Sequence, residues 1–163
     1  MNEQSGNGLF LSRHFQNANV TRDLDAAAKM FAERHGVRSF KYMRDIPFGP
    51  GATISLGLAW AGDVMIELIE PKGEASNFYK TMLPTQPGQL VRFHHLGHLV
   101  ESREEYDQVA ARAERSGLPI VIQGNSHGVN YLYLDATAET GHYLEYVHLD
   151  PEAAQFFDDV PRS

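Results

Sequence analysis

At 163 residues the chain can bury one domain or two small units around a shared core, and its hydrophobic share of 42% is that of a globular protein. A net charge of −7 with no Lys/Arg stripe argues against nucleic-acid binding, which needs a basic footprint. Cysteine is absent, so disulfides, thiolate metal sites and thiol nucleophiles are excluded, and metal or acid–base chemistry must come from His and carboxylates.

The opening MNEQSGNG is polar and lacks the apolar stretch of a secretory signal. No apolar run approaches the ~20 residues of a membrane helix, so a cytoplasmic protein is expected. After a terminal tail over 1–12, a strand is predicted over 15–20. A helix follows in which Leu24, Ala27, Ala28 and Phe31 share one face, with Thr21 or Asp23 as cap and Gly36 as its C-terminal stop. Strands are then predicted over 40–44, 52–60 and 64–69, separated by Gly49-Pro50-Gly51 and Gly62-Asp63. The Pro-rich stretch 71–92 reads as a connector with one helical turn near Phe78.

The same order then returns. A strand over 96–100, led by histidines, precedes a helix with Tyr106, Val109, Ala110 and Ala113 on one face, a Ser102/Glu105 capping box and Gly117 at its end. Strands over 119–122, 130–135 and 143–148 follow, with turns assigned to Gly124-Asn125 and Gly141. The stretch 152–160 reads as a docked or frayed tail. Leu24 to Tyr106 and Phe31 to Ala113 are both shifts of 82. A repeated β-α-β-β-β unit that cannot bury its own sheet face should pair with its twin. The expected division is 13–71 for the first module, 72–92 for the connector, 93–150 for the second module, and tails over 1–12 and 151–163.

Each half carries a polar residue early in its first strand and a carboxylate in its fourth. Gln16 and Glu67 are 51 positions apart, and His95 and Glu145 are 50 apart. A carboxylate inside an apolar strand is costly unless it is paired or bound to a metal. The alternatives are a buried ion pair, or a one-residue slip that turns both to solvent. If the two sheets curl around one cleft, the four side chains converge. Their charge of −2 balances a divalent cation, and the N/O donor set suits zinc, nickel, cobalt, manganese or iron better than calcium. His94 and His98 alternate to the opposite face, which suggests surface positions or support of the ligands. His127, in a loop expected to be flexible, is a candidate for substrate binding. So is Tyr143, two residues from Glu145 on the same face.

Four segments carry a resemblance: Phe15-Gln16-Asn17-Ala18-Asn19-Val20-Thr21-Arg22-Asp23-Leu24-Asp25, Ile66-Glu67-Leu68-Ile69-Glu70-Pro71, Phe93-His94-His95-Leu96-Gly97 and Gly141-His142-Tyr143-Leu144-Glu145-Tyr146-Val147. In this order and spacing the chain resembles the vicinal oxygen chelate superfamily of glyoxalases, bleomycin-resistance proteins and dioxygenases, and within it the branch of glyoxalase I and methylmalonyl-CoA epimerase. The resemblance implies an α+β fold of two βαβββ modules forming a half-open mixed β-barrel around a central metal cleft. It implies one divalent metal on Gln16, Glu67, His95 and Glu145, a small carbonyl or acyl substrate, and a homodimer. The implied activity is that of an isomerase or lyase moving a proton at a carbon next to a carbonyl through a metal-bound enediolate, with Glu145 or Glu67 as base. The alternatives are an iron-dependent extradiol dioxygenase and a non-catalytic binding protein of the bleomycin-resistance kind. Two departures bear on the choice. The epimerases carry a catalytic Glu before the third strand, where 47–51 here reads Pro-Phe-Gly-Pro-Gly; and Gln16 stands where the dioxygenases have a His.

Overall fold

The computed structural model describes residues 10, 13–74 and 77–163. The chain forms two compact units. One is Gln16–His94 with Asp158–Ser163, here the N-terminal unit; the other, the C-terminal unit, is His95–Phe157 with the described residues up to Phe15. The elements are β1 (His14–Thr21), α1 (Leu24–His35), β2 (Lys41–Pro47), β3 (Thr53–Ala61), β4 (Val64–Lys72), α2 (Asn77–Lys80), β5 (Val91–Val100), α3 (Arg103–Ser116), β6 (Ile120–Ser126), β7 (Val129–Asp135), α4 (Thr137–Thr140) and β8 (Tyr143–Leu149). The class is α+β, and the βαβββ order occurs twice as the sequence predicts, the second copy carrying the single turn α4 before its last strand.

Both units use one strand order. In the N-terminal unit it is β2-β3-β4-β1, with β1 parallel to β4 and the other pairs antiparallel. In the C-terminal unit it is β6-β7-β8-β5, with β5 parallel to β8.

The helices form where the capping chemistry puts them. Asp23 caps α1 by accepting from the Ala26 N–H at 2.9 Å, while Thr21 Oγ1 accepts from the Asp23 N–H. Ser102 Oγ accepts from the Glu105 N–H at 3.1 Å at the start of α3. The capping box is not reciprocal: the Glu105 carboxylate takes the Glu101 N–H instead of that of Ser102. Gly36 and Gly117 end the helices in left-handed conformation, as expected of both. On α1, Leu24, Ala27 and Ala28 pack on Leu68, Ile66 and Phe40. On α3, Tyr106, Val109 and Ala113 pack on Leu132, Leu134, Leu144 and Tyr146.

Of the boundaries that differ from the sequence reading, two have a clear local reason. β4 continues through Pro71, which pairs with Ile54 on β3. The β1 ladder has ended at Val20↔Ile69, so the missing proline N–H costs no bond on that side. Gly124-Asn125, expected to be a turn, lies inside β6 opposite Tyr131 and Asn130. Gly124 is there for space: a Cβ on it would lie 2.5 Å from the Tyr131 hydroxyl. The turn is instead His127-Gly128, both at positive φ (50° and 83°), the two-residue type I′ geometry that suits strand twist. The tail docks: Val160 is buried, and the Trp60 N–H donates to the Pro161 carbonyl. Among the described residues no helix is long and apolar enough to cross a membrane.

Candidate metal centre

Parallel pairing fixes which side chains share a face. In the N-terminal unit Gln16 lies opposite Met65 and Glu67 opposite Ala18, while Leu58 on β3 pairs with Glu67. Gln16, Ala18, Met65, Glu67 and Leu58 therefore stand on one face, and Ile66 and Leu68 turn to α1. The carboxylate face is buried too: Glu67 is 8% exposed and Gln16 3%, and Ala18, Met65 and Leu58 are all closed to solvent. Gln16 Nε2 donates to Met65 Sδ at 3.6 Å.

The C-terminal unit repeats this layout. His95 lies opposite Tyr143, and Glu145 lies opposite Gly97. In each unit the carboxylate strand thus faces a small residue, Ala18 or Gly97, placed two positions after Gln16 or His95. Gly97 has no side chain to interpose, and His95 Nε2 meets Glu145 Oε2 at 3.1 Å. His95 is fully buried and Glu145 is 8% exposed. The one-residue slip that would turn the glutamates to solvent does not occur.

Tyr133 is a neighbour of the pair that the sequence analysis did not single out. It lies directly opposite Glu145 on β7, and its ring packs edge-to-face on His95 at 5.1 Å and 86°. The signal was present, because a hairpin closed at Gly141 that pairs Asp135 with Tyr143 also pairs Tyr133 with Glu145. Tyr143 sits half-buried opposite His95. His127 is exposed at the tip of the β6–β7 hairpin. It lies six positions before Tyr133, roughly 20 Å along a strand.

His94 and His98 do turn to the opposite face, and both are fully buried, so of the two alternatives the surface position does not hold. His94 is held by the rings of Phe78 and Tyr79 at 4.9 and 5.0 Å. His98 stacks on Tyr146 at 5.0 Å and 18°, and its Nδ1 donates to the Glu145 carbonyl at 3.3 Å. Its Nε2 has no hydrogen-bond partner among the described residues. Burial pushes its pKa from 6.5 down to about 4, the Glu145 carbonyl opposing and His14 adding to the shift.

This shift has a consequence for stability. Above pH 6.5 both folded and unfolded chains hold His98 neutral. Between 6.5 and about 4 the unfolded chain takes up a proton that the folded chain refuses. His98 should therefore remove stability as pH falls through that window, by up to ~1.4 kcal/mol per pH unit. Urea titrations of wild type and His98→Phe at several pH values test this. The stability difference between them should shrink or reverse in favour of His98→Phe as pH falls; a difference independent of pH would refute the assignment.

A family model described as Glyoxalase/Bleomycin resistance protein/Dioxygenase superfamily matches residues 15–133, a span that includes Gln16, Glu67 and His95 and stops short of β8. No curated protein gives a significant match. Among solved structures the chain is similar to methylmalonyl-CoA epimerase from Mycobacterium tuberculosis, with a TM-score of 0.59 and 16% identity over 87% of this chain and 91% of that one. A methylmalonyl-CoA epimerase in complex with methylmalonyl-CoA and NH4+ gives a TM-score of 0.61 and 18% identity over 86% and 96%. A Streptomyces coelicolor methylmalonyl-CoA epimerase variant in complex with 2-nitronate-propionyl-CoA gives 0.61 and 19% over 84% and 96%. At these identities the likeness is one of fold.

Proposed function

The chain belongs to the glyoxalase/bleomycin resistance protein/dioxygenase superfamily, and from that premise we propose that it is a metal-dependent enzyme moving a proton at a carbon next to a carbonyl. In this reading Gln16, Glu67, His95 and Glu145 together hold one divalent ion, and the substrate is a small 2-oxo, 2-hydroxy or acyl-thioester compound. The cytoplasmic homodimer that the resemblance implies belongs to the same proposal.

The observation that carries the reading is the matched register. Each unit sets a buried carboxylate opposite a small residue, two positions along from a second donor, on an otherwise apolar face. One such placement is a curiosity of a strand; two at the same place in a repeated unit call for a common purpose. The donors suit the ion. One imidazole, one amide oxygen and two carboxylates carry −2 against its +2, and the mixed N/O set fits first-row divalent metals. Adjacent ligands on an octahedral ion with bonds of about 2.1 Å stand about 3.0 Å apart. The His95–Glu145 separation of 3.1 Å fits that spacing.

A bound divalent ion supplies Lewis acidity, polarising a carbonyl oxygen so that the neighbouring C–H becomes acidic. The chain's own residues do the rest. Glu145, whose carboxylate His95 contacts, accepts the proton as the C–H bond breaks and its electron pair moves toward the carbonyl oxygen. Returning that proton to the same or the adjacent carbon completes an isomerisation; Glu67 is the alternative base. Gln16 contributes an oxygen without a third negative charge. Beside Glu67, the closed side chains of Ala18, Leu58 and Met65 exclude water from that carboxylate.

The test is solvent deuterium exchange at the α-carbon across 2-oxo, 2-hydroxy and acyl-CoA compounds, using metal-loaded protein. Exchange with at least one class is expected. No exchange, together with oxygen uptake on a catechol by the iron-loaded protein, would replace this reading with a dioxygenase.

A further inference from the structure

We infer that Tyr133 is the positioning residue of the C-terminal half of the site, fixing the His95 imidazole so that its Nε2 is presented at the Glu145 carboxylate. The inference rests on the metal-site reading for its consequence, though not for its geometry.

Two contacts define the role. Strand pairing sets Tyr133 directly across from Glu145, so the two side chains rise from the same face side by side. The tyrosine ring also meets the His95 imidazole edge-to-face, at 5.1 Å and 86°. The imidazole is thereby held on one side by an aromatic ring and at Nε2 by the carboxylate. Gly97, beneath that contact on β5, offers no side chain to support the ring. Edge-to-face packing is directional: it penalises rotation of the imidazole about its Cβ–Cγ bond, which an aliphatic neighbour of similar size does not. Tyr133 is itself 4% exposed on a strand paired on both sides, so it is a rigid support and not a mobile one. Tyr131 supplies an internal comparison. It is on the same strand and the same face, but opposite Val147 and one step removed from the pair.

The experiment uses the full chain, His95→Gln for assignment, and the variants Tyr133→Phe, Tyr133→Leu, Tyr133→Met should the Leu variant not fold, and Tyr131→Leu. Two quantities are read. In metal-free protein, nitrogen-15 spectra of the histidine rings report the tautomer of His95, assigned by its loss in His95→Gln. A titration with cobalt(II), followed by visible absorption, reports metal affinity. Tyr133→Phe keeps the ring and should match wild type in both, within about twofold in affinity. Tyr133→Leu or Tyr133→Met should mix the His95 tautomers and weaken cobalt about 10–100-fold, the usual effect of removing a group that orients a ligand. Tyr131→Leu should lower thermal stability without changing either readout. The inference is overturned if the aliphatic Tyr133 variants keep one tautomer and wild-type affinity, or if Tyr131→Leu weakens cobalt as much. Wild type that shows the single tautomer, loses it in the aliphatic variants and yet binds no cobalt would sink the metal reading and leave the positioning role standing.

Discussion

Replacing Glu145 by Gln is expected to slow α-proton exchange by ~10²–10⁴ while leaving the fold and most of the metal affinity in place. The substitution keeps the volume of the side chain and an oxygen able to ligate, so the β5–β8 register and the contact with His95 have no steric reason to change. What it removes is the basic oxygen. The His95–Glu145 pair is buried, so a water molecule is poorly placed to stand in as base. Gln16→Glu should behave differently, because it adds charge without removing a base, and exchange should survive in part. The readout is deuterium incorporation at saturating metal, with circular dichroism and metal content measured on the same samples. Exchange unaffected by Glu145→Gln would move the base to Glu67.

The second large effect concerns metal removal. A ligand that binds only the folded chain stabilises it by mass action, ~2.7 kcal/mol at a hundredfold excess over its dissociation constant. For a chain of this size that corresponds to a rise in Tm of roughly 5–10 °C. Adding zinc, nickel, cobalt or manganese to chelator-treated protein should raise Tm in proportion to the logarithm of metal concentration, and excess chelator should reverse it. His95→Ala should abolish the shift. A Tm indifferent to all four metals would contradict the proposed site.

Much of this was legible in the residues because the signals were local or repeated. The i, i+3, i+4 apolar spacing, with Asp23, Ser102, Gly36 and Gly117 at the ends, fixed both long helices. The near-equal spacing of Gln16 to Glu67 and of His95 to Glu145 implied that each pair takes the same register in its unit. The pairs Gln16↔Met65 and His95↔Tyr143 are that register.

What escaped depended on neighbours distant in sequence. Strand alternation says which face a side chain takes, not whether that face is covered, so a surface position stayed open for His94 and His98 although both are buried. Gly124 carries the composition of a turn, but the requirement it meets is set by Tyr131 across the strand. Tyr133 looked like any strand aromatic until pairing set it opposite Glu145 and against His95.

The proposal that residues of both units hold one ion is tested by counting that ion with native mass spectrometry. Wild type, Glu67→Ala and Glu145→Ala would be purified without chelator and examined under identical conditions. One divalent ion per wild-type chain is expected, and its loss in each variant, although Glu67 belongs to one unit and Glu145 to the other. A wild-type chain with no ion, or a Glu67→Ala chain that keeps its ion at wild-type affinity while Glu145→Ala loses it, would contradict a shared site.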